Sequence, residues 1–181
     1  ESGREIGYIE TGRAAQDIAF VQGVLNVGEP MANPLIERVK ARGAASCIQI
    51  IDAPPGTSCP VVKTIADADL VVMVTEPTPF GLHDLRIAVS VARNLGVPVG
   101  VVVNRERGVF EPLEEFVKAN SLPVLARFPE DREIARTYSE GNVICEIFPT
   151  YRNEFGVLAA RIGRILKEQG ARKEWGISLS L

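Results

Sequence analysis

Short runs of β-branched and other apolar residues end in a polar residue and give way to stretches with apolar positions at helical spacing. The runs predict strands over 6–10, 18–24, 47–52, 70–75, 99–104 and 124–128. The helical stretches are 34–41, 61–65, 82–95, 111–120, 131–139 and 151–169, with Asn33 expected to cap the first and Pro34 at its first helical position. Strands this continuously apolar suit burial on both faces, and the intervening helices supply the crossovers that parallel pairing requires. The pattern predicts an α/β layered domain: a mostly parallel sheet flanked by helices. No repeat, low-complexity tract or interdomain linker interrupts it, and the loosest stretches are 1–3 and 171–181. In the tail, Trp175, Ile177, Leu179 and Leu181 alternate, which suits a packing or edge-strand segment and not a membrane-targeting helix.

Length and composition narrow the class further. At 181 residues one globular domain is expected, and 46% hydrophobic with 24% charged residues describes an ordinary soluble chain without a membrane span. A net charge of -3 gives no broad footprint for nucleic acid. The single histidine, His83, excludes a multi-histidine metal site and is expected to be exposed or capping near a helix start. Cys47, Cys59 and Cys145 offer no C-x-x-C spacing, and so sparse and odd a set suggests reduced thiols in the cytoplasm. The chain starts at Glu1 directly in patterned sequence, with no signal-like segment, so a piece upstream is expected to have been removed.

In parallel sheets ligands bind beyond the carboxyl ends of the strands, so the residues after each strand carry the chemistry. IIDAPPG (residues 50–56) delivers the Asp52 carboxylate to the end of an expected strand, and a Pro-Pro turn then presents Gly56. Such a carboxylate can hold magnesium through water, and a glycine amide can approach a terminal phosphate unobstructed, as in a Walker B strand and its switch loop. The alternative is that Asp52 only shapes the turn before the next helix. VTEPTPFGLHDL (residues 74–85) reads as a long irregular loop delaying a helix. Asn104 ends VVVN, where its amide can pair with the N6 and N7 edge of adenine or simply form a turn. Pro129 ends the strand of RFPED, and Asp131 is placed to cap the following helix.

Taken in order, IIDAPPGTSCP, VTEPTPFGLHDL, VVVNR and FPED resemble the MinD/ParA/Mrp class of P-loop ATPases. Within it, DAPPGTSCP followed by VTEPTPFGLHDL is most similar to MinD-like ATPases with an inserted ferredoxin (4Fe-4S) domain, and the opening REIGYIETG looks like the segment after that insert. The resemblance covers residues 4–168. It implies that Asp52 is the Walker B acid, that Gly56 is the switch glycine near the γ-phosphate, that Asn104 reads adenine, and that Pro129, Glu130 and Asp131 form the loop beside the base.

One motif is absent. A phosphate cradle needs G-x-x-x-x-G-K-[ST], yet each of the five lysines follows a residue other than glycine, and no Gly-x-Gly occurs among the 16 glycines. By the resemblance, the Walker A strand, the switch I acid and the ferredoxin cysteines would lie before Glu1. The chain is therefore expected to be the C-terminal portion, residues 1–181, of a single longer ATPase domain. Its sheet should be incomplete where the P-loop strand is missing, and the chain alone should be inactive. Cys59 is read as a structural thiol packed under the switch, the alternative being a cluster shared across a dimer axis.

The resulting expectation is ATP binding and hydrolysis with magnesium in the full-length protein. A nucleotide switch would be coupled to partner exchange, cluster handling or electron delivery in a homodimer with a redox or iron-sulfur partner, with neither nucleic acid nor membrane as partner. Two alternatives are a non-catalytic scaffold on the same fold and an ATP-dependent ligase of the dethiobiotin or cobyrinate synthase type.

Overall fold

The computed structural model describes residues 4–13, 18–43 and 48–170. The predicted tail of 171–181, the terminal residues 1–3, and Cys47 lie outside the described residues. Two compact units emerge, Glu1–Asp67 and Ala68–Leu181.

In the first unit, strands β1 (Gly7–Arg13) and β2 (Ala19–Leu25) pair antiparallel, from Gly7 opposite Leu25 to Arg13 opposite Ala19. The sequence reading expected a mostly parallel sheet, and this hairpin departs from that pattern. Only residues 14–18 join the two strands, far too few for a crossover, so the second strand must turn back beside the first. Helix α1 (Asn33–Lys40) lies on the hairpin at Gly23, where an added Cβ would stand 2.8 Å from Leu35 Cγ. Asn33 is not the cap: it is the first helical residue, Ala32 precedes it without a side-chain cap, and Asn33 Oδ1 is buried without a hydrogen bond. Helix α2 (Cys59–Ile65) packs on α1, burying Val61 and Ile65. Lys40 Nζ fastens the two helices, donating to the carbonyls of Lys63 (3.1 Å) and Thr64 (2.9 Å) and pairing with Asp67. That hydrogen bond, ahead of the opposing effect of burial, holds the Asp67 carboxyl below its usual range.

The strand expected over 47–52 does not form among its described residues. Residues 48–54 have no regular structure, and Ile50 is 92% exposed. An apolar run becomes a strand only when a neighbour completes its ladder, and no described strand pairs with this one.

The second unit is α/β: a three-stranded parallel sheet flanked by helices. Strands β3 (Val71–Thr75), β4 (Val99–Glu106) and β5 (Val124–Pro129) stand in the order β3-β4-β5. Alternate residues of the strands serve opposite faces. Val101 and Val103 enter a core with Leu82, Leu85 and Val89 of α3 (Pro79–Asn94) and Leu113 and Val117 of α4 (Glu111–Ala119). Val102, Leu125, Ala126 and Phe128 face the other way, against Tyr151, Leu158, Ile162 and Ile165 of α7 (Pro149–Glu168). Leu113 and Leu125 are 1% and 2% exposed, and burial of this kind stabilises by about 1.5–3 kcal/mol per side chain. Phe128 also stacks on Phe155 of α7, ring centroids 4.9 Å apart. Helix α5 (Arg132–Ser139) follows β5, and a short helix α6 (Ile144–Ile147), absent from the sequence expectation, buries Ile144 before α7. The outer edge of β3 has no strand partner among the described residues, and Val74 on it is 65% exposed. No described helix is long and apolar enough to cross a membrane.

Candidate functional site

The parallel register decides which loops share an edge. Thr75 stands opposite Val103, and Glu106 opposite Pro129, so the carboxyl ends of β3, β4 and β5 lie along one side of the sheet. Glu76–Thr78, Asn104–Arg105 and Pro129–Asp131 all sit on that side.

After β3 the chain is more ordered than the sequence reading expected. There is no long irregular loop, because α3 begins at Pro79. Thr78 accepts a hydrogen bond from Gly81 N at 3.0 Å, and a proline at the first turn sacrifices no helical donor, so cap and proline together start the helix early. The buried Thr75 hydroxyl donates to Gly81 O at 3.0 Å and ties strand end to helix start. His83 lies on α3 and is exposed.

Strand β4 loses regular register with β5 between Val103 and Glu106. Within that irregularity Arg105 takes φ +53°, left-handed backbone that few side chains adopt, and pairs with Glu76 at 3.2 Å across the adjacent strand end. Asn104, just before it, is partly buried, and its side-chain amide makes no hydrogen bond with a described residue. A donor and an acceptor are thus free at the sheet edge.

The carboxylates after β5 are engaged. Glu130 pairs with Arg107, and its backbone N–H donates to Glu106 O at 3.1 Å. Asp131 Oδ1 accepts from Glu133 N at 2.8 Å as the cap of α5, and its Oδ2 accepts from the Tyr151 hydroxyl at 3.1 Å. Burial, reinforced by the Asp131 hydrogen bond and charge, pushes the Tyr151 phenol above its usual range. Beneath, Arg127 bridges Glu106 (2.6 Å) and both oxygens of Glu114 (2.9 Å each). Burial works against the Arg127 charge, but the two glutamates outweigh it and raise its pKa. Sequence reasoning missed this triad; its members are 8 and 13 positions apart along the chain, a spacing with no local signature.

Asp52 and Gly56 belong to the first unit, in an exposed segment. Gly56 takes φ +89°, the left-handed conformation that only glycine adopts freely, and a Cβ there would meet nothing within 4 Å. The expected strand that was to aim Asp52 is not formed, and residues 55–58 are bends. Cys59 is exposed at the first position of α2 and is not packed beneath the loop, because α2 turns Val61, Thr64 and Ile65 inward instead. Among the described residues no group of three or more His, Cys, Asp or Glu side chains could hold a metal ion. A magnesium ion on Asp52 would take its remaining ligands from phosphate and water.

No family model matches the chain, and no solved structure matches it. The chain is similar to two uncharacterized proteins of Methanocaldococcus jannaschii. MJ0579 is 38% identical over 88 residues, which is 48% of this chain and 33% of that protein. MJ0578 is 32% identical over 105 residues, which is 57% of this chain and 37% of that protein. The matched stretch thus spans about a third of each of these relatives.

Proposed function

We propose that these residues form the nucleotide-facing C-terminal part of a MinD-like P-loop ATPase of the ferredoxin-insert branch. The observation that carries the reading is the free amide of Asn104 at the carboxyl edge of a parallel sheet, between loops that end at Thr78 and Asp131. Clefts at this edge are where open α/β sheets take their ligands. In this reading Asn104 reads the adenine edge and Pro129 with Glu130 lines the base. Asp131 shapes that loop as a helix cap more than it binds, given its two internal partners. By the resemblance, Asp52 of the first unit would hold magnesium through water, Gly56 would offer its amide to the γ-phosphate, and the segment between them would order on ATP binding and relax after hydrolysis. The exposed apolar edge of β3 suits the resembled fold, which sets its P-loop strand there. An iron-sulfur cluster would belong to the insert, in a cytoplasmic homodimer that exchanges a redox or iron-sulfur partner.

The test uses the full-length protein, purified without oxygen. ATP binding, magnesium-dependent turnover and the absorbance of a 4Fe-4S cluster are measured together. Asn104→Ala should weaken ATP more than GTP, by about 1–2 kcal/mol. Asp52→Asn should abolish hydrolysis while leaving binding. A full-length protein with no ATP binding at millimolar concentration would sink the reading. Binding without turnover would leave the scaffold form, and turnover that depends on an added carboxylic acid would point to the ligase form.

A further inference from the structure

The described part of the first unit holds six basic residues. Arg4 pairs with Glu29 at 2.7 Å, Lys40 with Asp67 and Lys63 with Glu37, and Arg13 is engaged as well. The remaining two, Arg38 and Arg42, have no hydrogen bond or ion pair through their side chains with a described residue. Arg38 lies in the last turn of α1 and Arg42 in the turn two residues past its end, and both line one open cavity of about 490 Å³ together with Arg4, Glu5, Ile9 and Leu35. The one acid on α1, Glu37, is already taken by Lys63. A basic side chain at a helix C-terminus suits the helix dipole, but that does not require Arg38 and Arg42 to open onto the same concavity.

The chemistry of the cavity restricts its ligand. A guanidinium offers a rigid fork of donors matched to a carboxylate or phosphate, and two such forks lining one cavity can grip a single oxyanion. The volume falls in the range of about 300–1,000 Å³ usual for small-molecule sites. Ile9 and Leu35 supply an apolar wall. Glu5 also has no ion pair with a described residue, and its carboxylate lowers the affinity for any anion beside the arginines. We propose that this cavity binds a small organic molecule with one oxyanion, a phosphate monoester or a carboxylate, held by Arg38 and Arg42 with an uncharged body against Ile9 and Leu35. The site lies wholly within the first unit and is independent of the nucleotide reading.

The experiment titrates the ¹³C,¹⁵N-labelled full-length protein with phenyl phosphate, benzoate, inorganic phosphate and benzyl alcohol. It follows the arginine Nε–Hε signals, assigned by the single variants Arg38→Gln and Arg42→Gln. Phenyl phosphate or benzoate should shift both signals and the Ile9 and Leu35 methyls saturably, and whichever binds tighter identifies the oxyanion as phosphate or carboxylate. The double variant should weaken binding about tenfold or more, added salt should weaken it too, and Glu5→Gln should tighten it. Both arginines are exposed, so the double variant should melt with the wild type, and the wild-type titration decides the matter regardless. Arginine signals that do not move, or an unchanged affinity in the double variant, would overturn the proposal. Inorganic phosphate binding as tightly as phenyl phosphate, or benzyl alcohol binding as tightly as either anion, would overturn the assignment of an oxyanion with an apolar body.

Discussion

Replacing Asp131 with alanine separates a residue that builds a loop from one that binds a ligand. Its two oxygens do two structural jobs, capping α5 through Glu133 N and accepting from Tyr151 of α7. Loss of an aspartate cap costs about 1 kcal/mol. A hydrogen bond from a phenol to a carboxylate at a partly exposed site contributes about 1 kcal/mol more. Asp131→Ala should therefore destabilise by about 2 kcal/mol, Tyr151→Phe by about 1, and the double variant by about 2, leaving a coupling of about 1 kcal/mol between the pair. Asp131→Asn keeps the cap and should cost about half as much as alanine. Urea denaturation of the full-length protein, followed by circular dichroism, measures each value from midpoint and slope. The Tyr151 phenol, held above its usual range in the fold, stabilises fully below the ordinary tyrosine pKa of about 10, and that stability is lost as pH rises through its folded value. Tyr151→Phe should flatten the alkaline limb of the stability curve. Strictly additive costs, or an Asp131→Ala protein of unchanged stability that has lost nucleotide binding, would refute the structural assignment.

Three further outcomes follow from the packing. Gly100→Ala on β4 would place a Cβ 2.5 Å from Leu125 Cδ1 in the core and should cost about 1–3 kcal/mol, partly recovered by Leu125→Val, as thermal melting of both variants would show. Lys40→Met removes three contacts to the end of α2 and should cost about 1–2 kcal/mol; amide exchange should quicken in 59–67 and stay unchanged in 99–128. With Lys40 in place, the lowered Asp67 pKa adds stability that is present above the ordinary aspartate range and fades as pH falls through its folded value, so a pH titration of stability should show this acid-side loss only in the wild type. Arg127→Leu leaves Glu106 and Glu114 half-buried without their cation and should cost about 1–3 kcal/mol in denaturant titration, whereas Arg132→Leu, which has no ion pair with a described residue, should be nearly silent.

Most of the second unit was legible along the chain. The runs around 71–75, 99–104 and 124–128 are apolar at nearly every position, so they read as strands covered on both faces; β4 and β5 are, while β3 leaves Val74 exposed. Helix positions followed from apolar spacing, as in Leu82, Leu85, Val89 and Ala92, and the cap at Asp131 from its place before Arg132. The early start of α3 was also written locally, in Thr78 and Pro79, although Pro77 and Gly81 disguised it as a loop. The order of the strand-end motifs resembles that of a nucleotide edge, and the register places three of those four loops on one side of the sheet.

Tertiary structure decided what depends on a neighbour distant in sequence. Residues 48–52 carry three isoleucine side chains, yet among the described residues only β3 has a partner to complete its backbone hydrogen bonds, and so only β3 is a strand. The first two strands pair antiparallel because their short link cannot cross over. Cys59 turned out exposed because α2 directs Val61 and Ile65 to α1. The second partner of Asp131, the Arg127 triad, and the meeting of Arg38 and Arg42 at one cavity have no signature in residue spacing. Hydrophobic periodicity is a property of a few consecutive residues, whereas pairing, ion clustering and concavity are set by which surfaces the folded chain brings within a few ångströms.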